Sequence, residues 1–205
     1  MSSKLSVYNS ACLALGERKL SSLSENVVMR RRLDTAWDDD FVKACLSRGL
    51  WNHAIRVVQL DYSPSVEPEF GYQRAFDKPT DWVRTAIVAS DEYFNCALTR
   101  YDDTSAYWFA DIDTIYAKYV SSDVQYGMDY SIWPANFSEF VGYSLALKVV
   151  KATTGSNTDE DDLEARVKRK LIRARSTDAM DEPTQFPPRG SWVSARMGHS
   201  RSRDR

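Results

Sequence analysis

The sequence predicts a mainly α protein: a four-helix bundle-like scaffold with a small antiparallel β insert and an extended C-terminal arm (α+β). Three observations predict it. Apolar residues recur at helical spacing in four stretches, about 5–15, 23–49, 134–154 and 158–179. Between the second and third, over about residues 55–132, that period stops; seventeen of the aromatic residues lie from Trp51 to Trp133, with four of the 6 tryptophans. After Met180, Pro183, Pro187 and Pro188 forbid regular structure. A chain of 205 residues accommodates one such domain, 1–180, and an appendage, 181–205.

Each element has its own signal. Leu5, Tyr8, Cys12 and Leu15 form the first helical stripe, and Gly16 follows as a natural residue past its C-terminal cap. Ser22-Leu-Ser-Glu25 fits a capping box opening the second helix. Val28, Met29, Leu33, Trp37, Phe41, Ala44 and Cys45 continue one stripe to Arg48-Gly49, which places Asp38-Asp39-Asp40 inside that helix. Ile55–Leu60 is β-branched, Gly71–Phe76 reads as a short strand, and Val83–Ala89 is an apolar run of either type. Tyr107–Ile112 and Ile115–Val120 alternate on period two and meet at Asp111-Ile112-Asp113-Thr114, which predicts a hairpin. Asp123–Ile132 reads as a loop. Pro134 suits the first helical position, Gly155 ends that helix, and Thr158 is available to cap the last one. The last helix is acidic at its start (Asp159 to Asp162) and basic towards its end, which suits the macrodipole; Leu163, Val167, Leu171 and Ala174 give it a narrow buried stripe.

Composition excludes several classes. The chain is 43% apolar and 27% charged, an ordinary globular balance. A net charge of −2 argues against coating nucleic acid with the whole surface. The charge is uneven: residues 187–205 hold five arginines against Asp204, a net of +4, leaving −6 for the rest. An acidic body with a basic tail points to a tail that docks on something anionic. Cys12, Cys45 and Cys96 are odd in number and widely spaced, as expected of reduced, mostly buried thiols in a protein made in a cytoplasm. Met1-Ser-Ser-Lys-Leu does not read as a signal peptide, lacking a charged region followed by an apolar one, and no apolar run is long enough for a membrane span.

Chemistry-bearing patterns are sparse. His53 and His199 have no Cys or His partner at ligand spacing, so neither a metal nor a cofactor is expected. Consecutive aspartates on a helix point about 100° apart, so Asp38–Asp40 read as a solvated face, with Arg30 and Asp34 an i,i+4 pair. Asp111 and Asp113 flank the hairpin turn and share a strand face, a candidate carboxylate pair for acid/base work, although turn formation is much the commoner reason for Asp there. No G-x-S-x-G motif or Gly-rich phosphate loop occurs, and no catalytic residue is assigned. In the tail, Arg189, Arg196, Arg201 and Arg203, with Phe186, Trp192 and Met197 as apolar anchors, form a candidate docking element for an acidic protein surface or DNA phosphates.

A family resemblance rests on the order of short motifs. The second helix ends in Gly49-Leu-Trp51-Asn-His-Ala54; Gly71-Tyr-Gln-Arg-Ala-Phe76-Asp-Lys-Pro79-Thr-Asp81-Trp-Val-Arg84 follows. Then Asp111 precedes Tyr116-Ala-Lys-Tyr119-Val120, and Trp133-Pro134-Ala-Asn-Phe137 opens the next helix. In order and approximate spacing, residues 5 to 180 resemble the head-to-tail adaptor (tail tubular) proteins of short-tailed phages.

The resemblance implies a virion protein of the tail and neck, assembled in the host cytoplasm. It implies a homo-oligomeric ring of about twelve copies below the portal protein, extending the DNA channel and carrying the downstream tail nozzle or fibres. Double-stranded DNA would pass through the channel without specific binding, as a negative wall favours. Family members have no catalytic residues to carry over. In some relatives a C-terminal arm climbs into portal grooves, which maps here onto 181–205. Trp82, Tyr93, Tyr101, Tyr126 and Tyr130 fall in turns or loops where an isolated monomer would expose them, and part of this cluster is expected to be buried by neighbouring subunits or tail proteins. Two alternatives stand beside this one: a DNA-binding regulatory module using the Arg-rich arm, and a hydrolase using Asp111 or Asp113.

Overall fold

The computed structural model describes residues 2–68 and 71–181. Among these, five helices share the chain with two three-stranded antiparallel sheets. The architecture is α+β, which corrects the expected mainly α four-helix bundle. The β region is not an insert on a bundle; it is a second layer with its own core.

The helical layer is built around α4 (Ala135–Thr154), which buries Phe137, Phe140, Val141, Leu145, Ala146, Val149 and Val150. Gly155, at φ 68°, takes the left-handed conformation that ends it. Pro134 sits one position earlier than expected, at the N-cap, with extended ψ. α1 (Lys4–Ala14) is opened by a reciprocal Ser3–Ser6 capping box and packs Val7, Tyr8, Ala11 and Cys12 inward. It approaches α4 closely at Gly142, where an added Cβ would lie 2.7 Å from the Ser10 Cβ. α5 (Asn157–Met180) lies against α4 through Leu163, Val167, Leu171 and Ala174, the stripe read from the sequence. Ser156, not Thr158, caps it by accepting the Asp159 N–H.

The expected long helix over 23–49 is two helices, α2 (Val28–Ala36) and α3 (Asp39–Leu46). Trp37 leaves the helical region (φ −89°, ψ 93°), and the Asp38 carboxylate accepts the Phe41 N–H at 2.6 Å as the cap of α3. Asp38 is thus a helix start and not part of an exposed helical face. The bend lets the Trp37 ring pack among Tyr8, Phe41 and Tyr130. The Ser22–Glu25 capping box is absent as well. Glu25 instead accepts the Ser21 N–H and hydroxyl and pairs with Arg18, bracing the loop before α2.

The β layer departs from expectation in its pairing. Strands β1 (Ile55–Asp61), β6 (Thr114–Ser121) and β3 (Trp82–Ala89) form one sheet with β6 central. Strands β2 (Arg74–Asp77), β5 (Tyr107–Ala110) and β4 (Asp102–Asp103) form the other. The predicted hairpin partners β5 and β6 therefore lie in different sheets. Each carries an apolar inner face, Trp108 and Ala110 on β5, Ile115 and Ala117 on β6. Folding one over the other buries both faces with Phe76 and Val88, whereas a flat hairpin would leave that shared face uncovered. The intervening corner is pinned by Asp111, which accepts the Gln73 N–H, and by an Asp113–Arg74 ion pair.

The two cores meet along β6. Ile115 and Ala117 belong to the β core, while Val120, at the far end, belongs to the helical core with Ile55 and Val83 packed beside it. Among the described residues, no helix is long and apolar enough to cross a membrane.

Candidate interaction surfaces

Most of the chemistry-bearing side chains hold the fold together. Asp81, at the junction of the two layers, accepts hydrogen bonds from Arg56 (3.0 Å), the Tyr119 hydroxyl (3.1 Å) and the Ser121 hydroxyl. Burial alone would raise its pKa; the Ser121 and Arg56 bonds outweigh that and hold the carboxyl below its ordinary value. Burial and the adjacent carboxylate push the Tyr119 phenol well above its usual range. Tyr8 is bound in the same manner to Asp34, which also pairs with Arg30 as expected. Asp111 and Asp113, the expected acid/base candidates, brace the β5–β6 corner.

The thiols divide two to one. Cys12 and Cys45 are buried, and burial pushes the Cys45 thiol up to about 12. Cys96 is exposed. His53 lies against Trp51 and Phe137, and among the described residues neither ring nitrogen has a hydrogen-bond partner. Burial lowers its pKa to about 4. No group of three or more His, Cys, Asp or Glu among the described residues is arranged to hold a metal ion.

Charge is segregated between the layers. Residues 55–132 contain thirteen Asp and Glu against six Lys and Arg, a net of −7. Residues 1–54 and 133–180 together contain sixteen basic against thirteen acidic residues, a net of +3. The acidic body read from the sequence is thus an acidic β layer beside a mildly basic helical layer.

Four of the five aromatics expected at interfaces are engaged within the chain. Trp82 is half-buried beneath the Lys78 ammonium, 3.5 Å from the ring centre, and Tyr101 packs on the β core. Tyr126 lies beside the Arg56 guanidinium, and Tyr130 packs edge-on to Trp37 and Trp133. Each of these four residues is half-buried within its own chain. Tyr93 alone of the five is presented to solvent, at 76% exposure. Phe186, Arg189, Trp192, Arg196, Met197, Arg201 and Arg203 lie outside the described residues.

Tyr93 stands on a built loop between β3 and the Ala89–Ala97 bridge. The Asp91 carboxylate accepts the Asn95 and Cys96 N–H groups, and the Ser90 N–H bonds the Cys96 carbonyl. Phe94 is held at φ 59°, a conformation uncommon for a bulky side chain, with the Lys118 ammonium 4.2 Å from its ring centre. The result is a fixed protrusion carrying Glu92 and Tyr93 outward.

On the helical layer, α2 and α4 leave an open trough of about 520 Å³. Val28, Val149 and Ala152 line it, and Arg31, Arg32 and Lys148 rim it. Val28 is 61% exposed. The sequence picks out Tyr93 but neither the loop's fixed shape nor the trough. A count of charge by segment would have exposed the polarity, but the trough is lined by residues of α2 and α4 that lie more than a hundred residues apart in sequence.

In comparisons with known proteins, no family model matches this chain, and no curated protein matches it.

Proposed function

We propose that the protein is a structural connector of a short-tailed phage virion: an adaptor ring of about twelve copies that joins portal to tail and extends the DNA channel. The observation that carries this reading is the segregation of charge and exposed apolar side chains onto two regions of one chain. The β layer is net acidic and presents Val57, Tyr93 and Val124; the helical layer is net basic and presents Leu13, Val28, Ile172 and Met180. A ring needs two different, mutually complementary patches on each subunit, and self-complementary pairing does not. The employment of Asp81, Asp111 and Asp113 in bracing the fold also suits a scaffold better than a hydrolase.

In this role the Arg-rich segment after α5 docks on the portal, and the acidic β layer offers a surface that DNA slides past. Mass measurement and negative-stain imaging of the purified chain, alone and with portal rings, test the proposal. A closed ring supports it; single copies under both conditions refute it. The net positive helical layer is what favours the alternative, a DNA-binding module. That module would bind duplex at about 50 mM salt and lose affinity with a measurable log–log slope, and absence of binding there disposes of it.

A further inference from the structure

We infer that the Glu92–Tyr93 protrusion of one copy inserts into the α2–α4 trough of the next, making the lateral contact of the assembly; this rests on the connector reading above. Four observations converge on it.

The first is charge. Glu92 has no cation partner among the described residues, and Arg31 and Arg32 bond only neutral acceptors there, Asn26 Oδ1 and Thr153 Oγ1. Lys148 is partly neutralised by Asp38 at 3.7 Å. Among the described residues the protrusion thus carries a carboxylate without a cation partner and the trough two guanidinium groups without a carboxylate partner, a complementarity that steers encounter and fixes register.

The second is shape and polarity. An aromatic ring with a polar tip stands on one surface, and an apolar-floored trough rimmed by guanidinium groups lies on the other. A tyrosine entering it would bury its ring against Val28 and Val149 and leave its hydroxyl at the basic rim.

The third is rigidity. The loop is held by two backbone N–H groups donating to the Asp91 carboxylate, by the Ser90 N–H to Cys96 carbonyl bond and by the left-handed Phe94, so little ordering is required on docking.

The fourth is distance. β3 runs from Val83, packed on the helical core, to Ala89 at the opposite end, six residues or roughly 20 Å away. The loop that carries the protrusion closes at the Ala89–Ala97 bridge, at the end of β3 away from Val83. Protrusion and trough are different patches, so the contact is heterologous and propagates from copy to copy.

Sedimentation velocity over a concentration series tests the inference with two variants. Glu92→Gln/Tyr93→Ala removes the protrusion, and Arg31→Glu/Arg32→Glu reverses the rim; all four residues lie at or near the surface, and circular dichroism confirms that each variant folds. Each should self-associate at least about tenfold more weakly than wild type. Mixed together, one variant still supplies a protrusion and the other a trough, so the mixture should form dimers and nothing larger. If both variants associate like wild type, the inference is overturned while the connector reading survives. If wild type itself stays monomeric throughout, alone and on portal rings, both fall.

Discussion

Asp81 gathers three donors from two strands at the seam between the layers, so its removal strands buried polar groups. Asp81→Ala leaves the Tyr119 and Ser121 hydroxyls, both fully buried residues, without their acceptor. Urea unfolding should show a loss of about 2–3 kcal/mol, the range for a buried charged hydrogen-bond acceptor. Because the folded carboxyl titrates below its unfolded value, its stabilisation is complete above roughly pH 4 and is lost as pH falls through the lower folded value. His53 acts in a different window. Its folded pKa of about 4 lies below the ordinary value of 6.5, so between those limits the unfolded chain binds the extra proton. Stability should therefore fall as pH drops from 6.5 to 4, by up to about 3 kcal/mol, and level off below. His53→Leu should abolish that slope while filling the same apolar site beside Trp51 and Phe137. A slope that persists in the variant would place the sensitivity elsewhere.

Among the elements, α1 approaches the α4 backbone closely at Gly142. Gly142→Ala would drive a methyl to within 2.7 Å of the Ser10 Cβ and 3.2 Å of the Val7 carbonyl oxygen. The helices must part, and the melting curve should report a loss of roughly 1–3 kcal/mol. The helices were largely legible in the sequence because their stripes are local: α1, α4 and α5 fall within a residue or two of expectation. The break at Trp37 was hidden because Leu33, Trp37 and Phe41 keep four-residue spacing straight through it. The one local sign was an aspartate three residues before the first buried phenylalanine of α3. Strands were legible in place but not in pairing. Alternation identified β5 and β6, yet which strands pair depends on which inner faces must cover one another, and that is a long-range property. The same limit hid the interaction surfaces. Trp82, Tyr101, Tyr126 and Tyr130 are loop or turn aromatics by sequence, and only packing distinguishes them from Tyr93.

For the molecule as a whole, two cores joined along β6 give a body with an acidic β layer and a mildly basic helical layer. Such polarity suits head-to-tail association, which closes into a ring when the rotation per copy divides a full turn. Association should weaken with added salt, since the paired charges lie near the surface. Mass measurement with negative-stain imaging of the chain, alone and bound to portal rings, tests this most directly. The account predicts a closed ring of about twelve copies in at least one of those states. Single copies in both would contradict it.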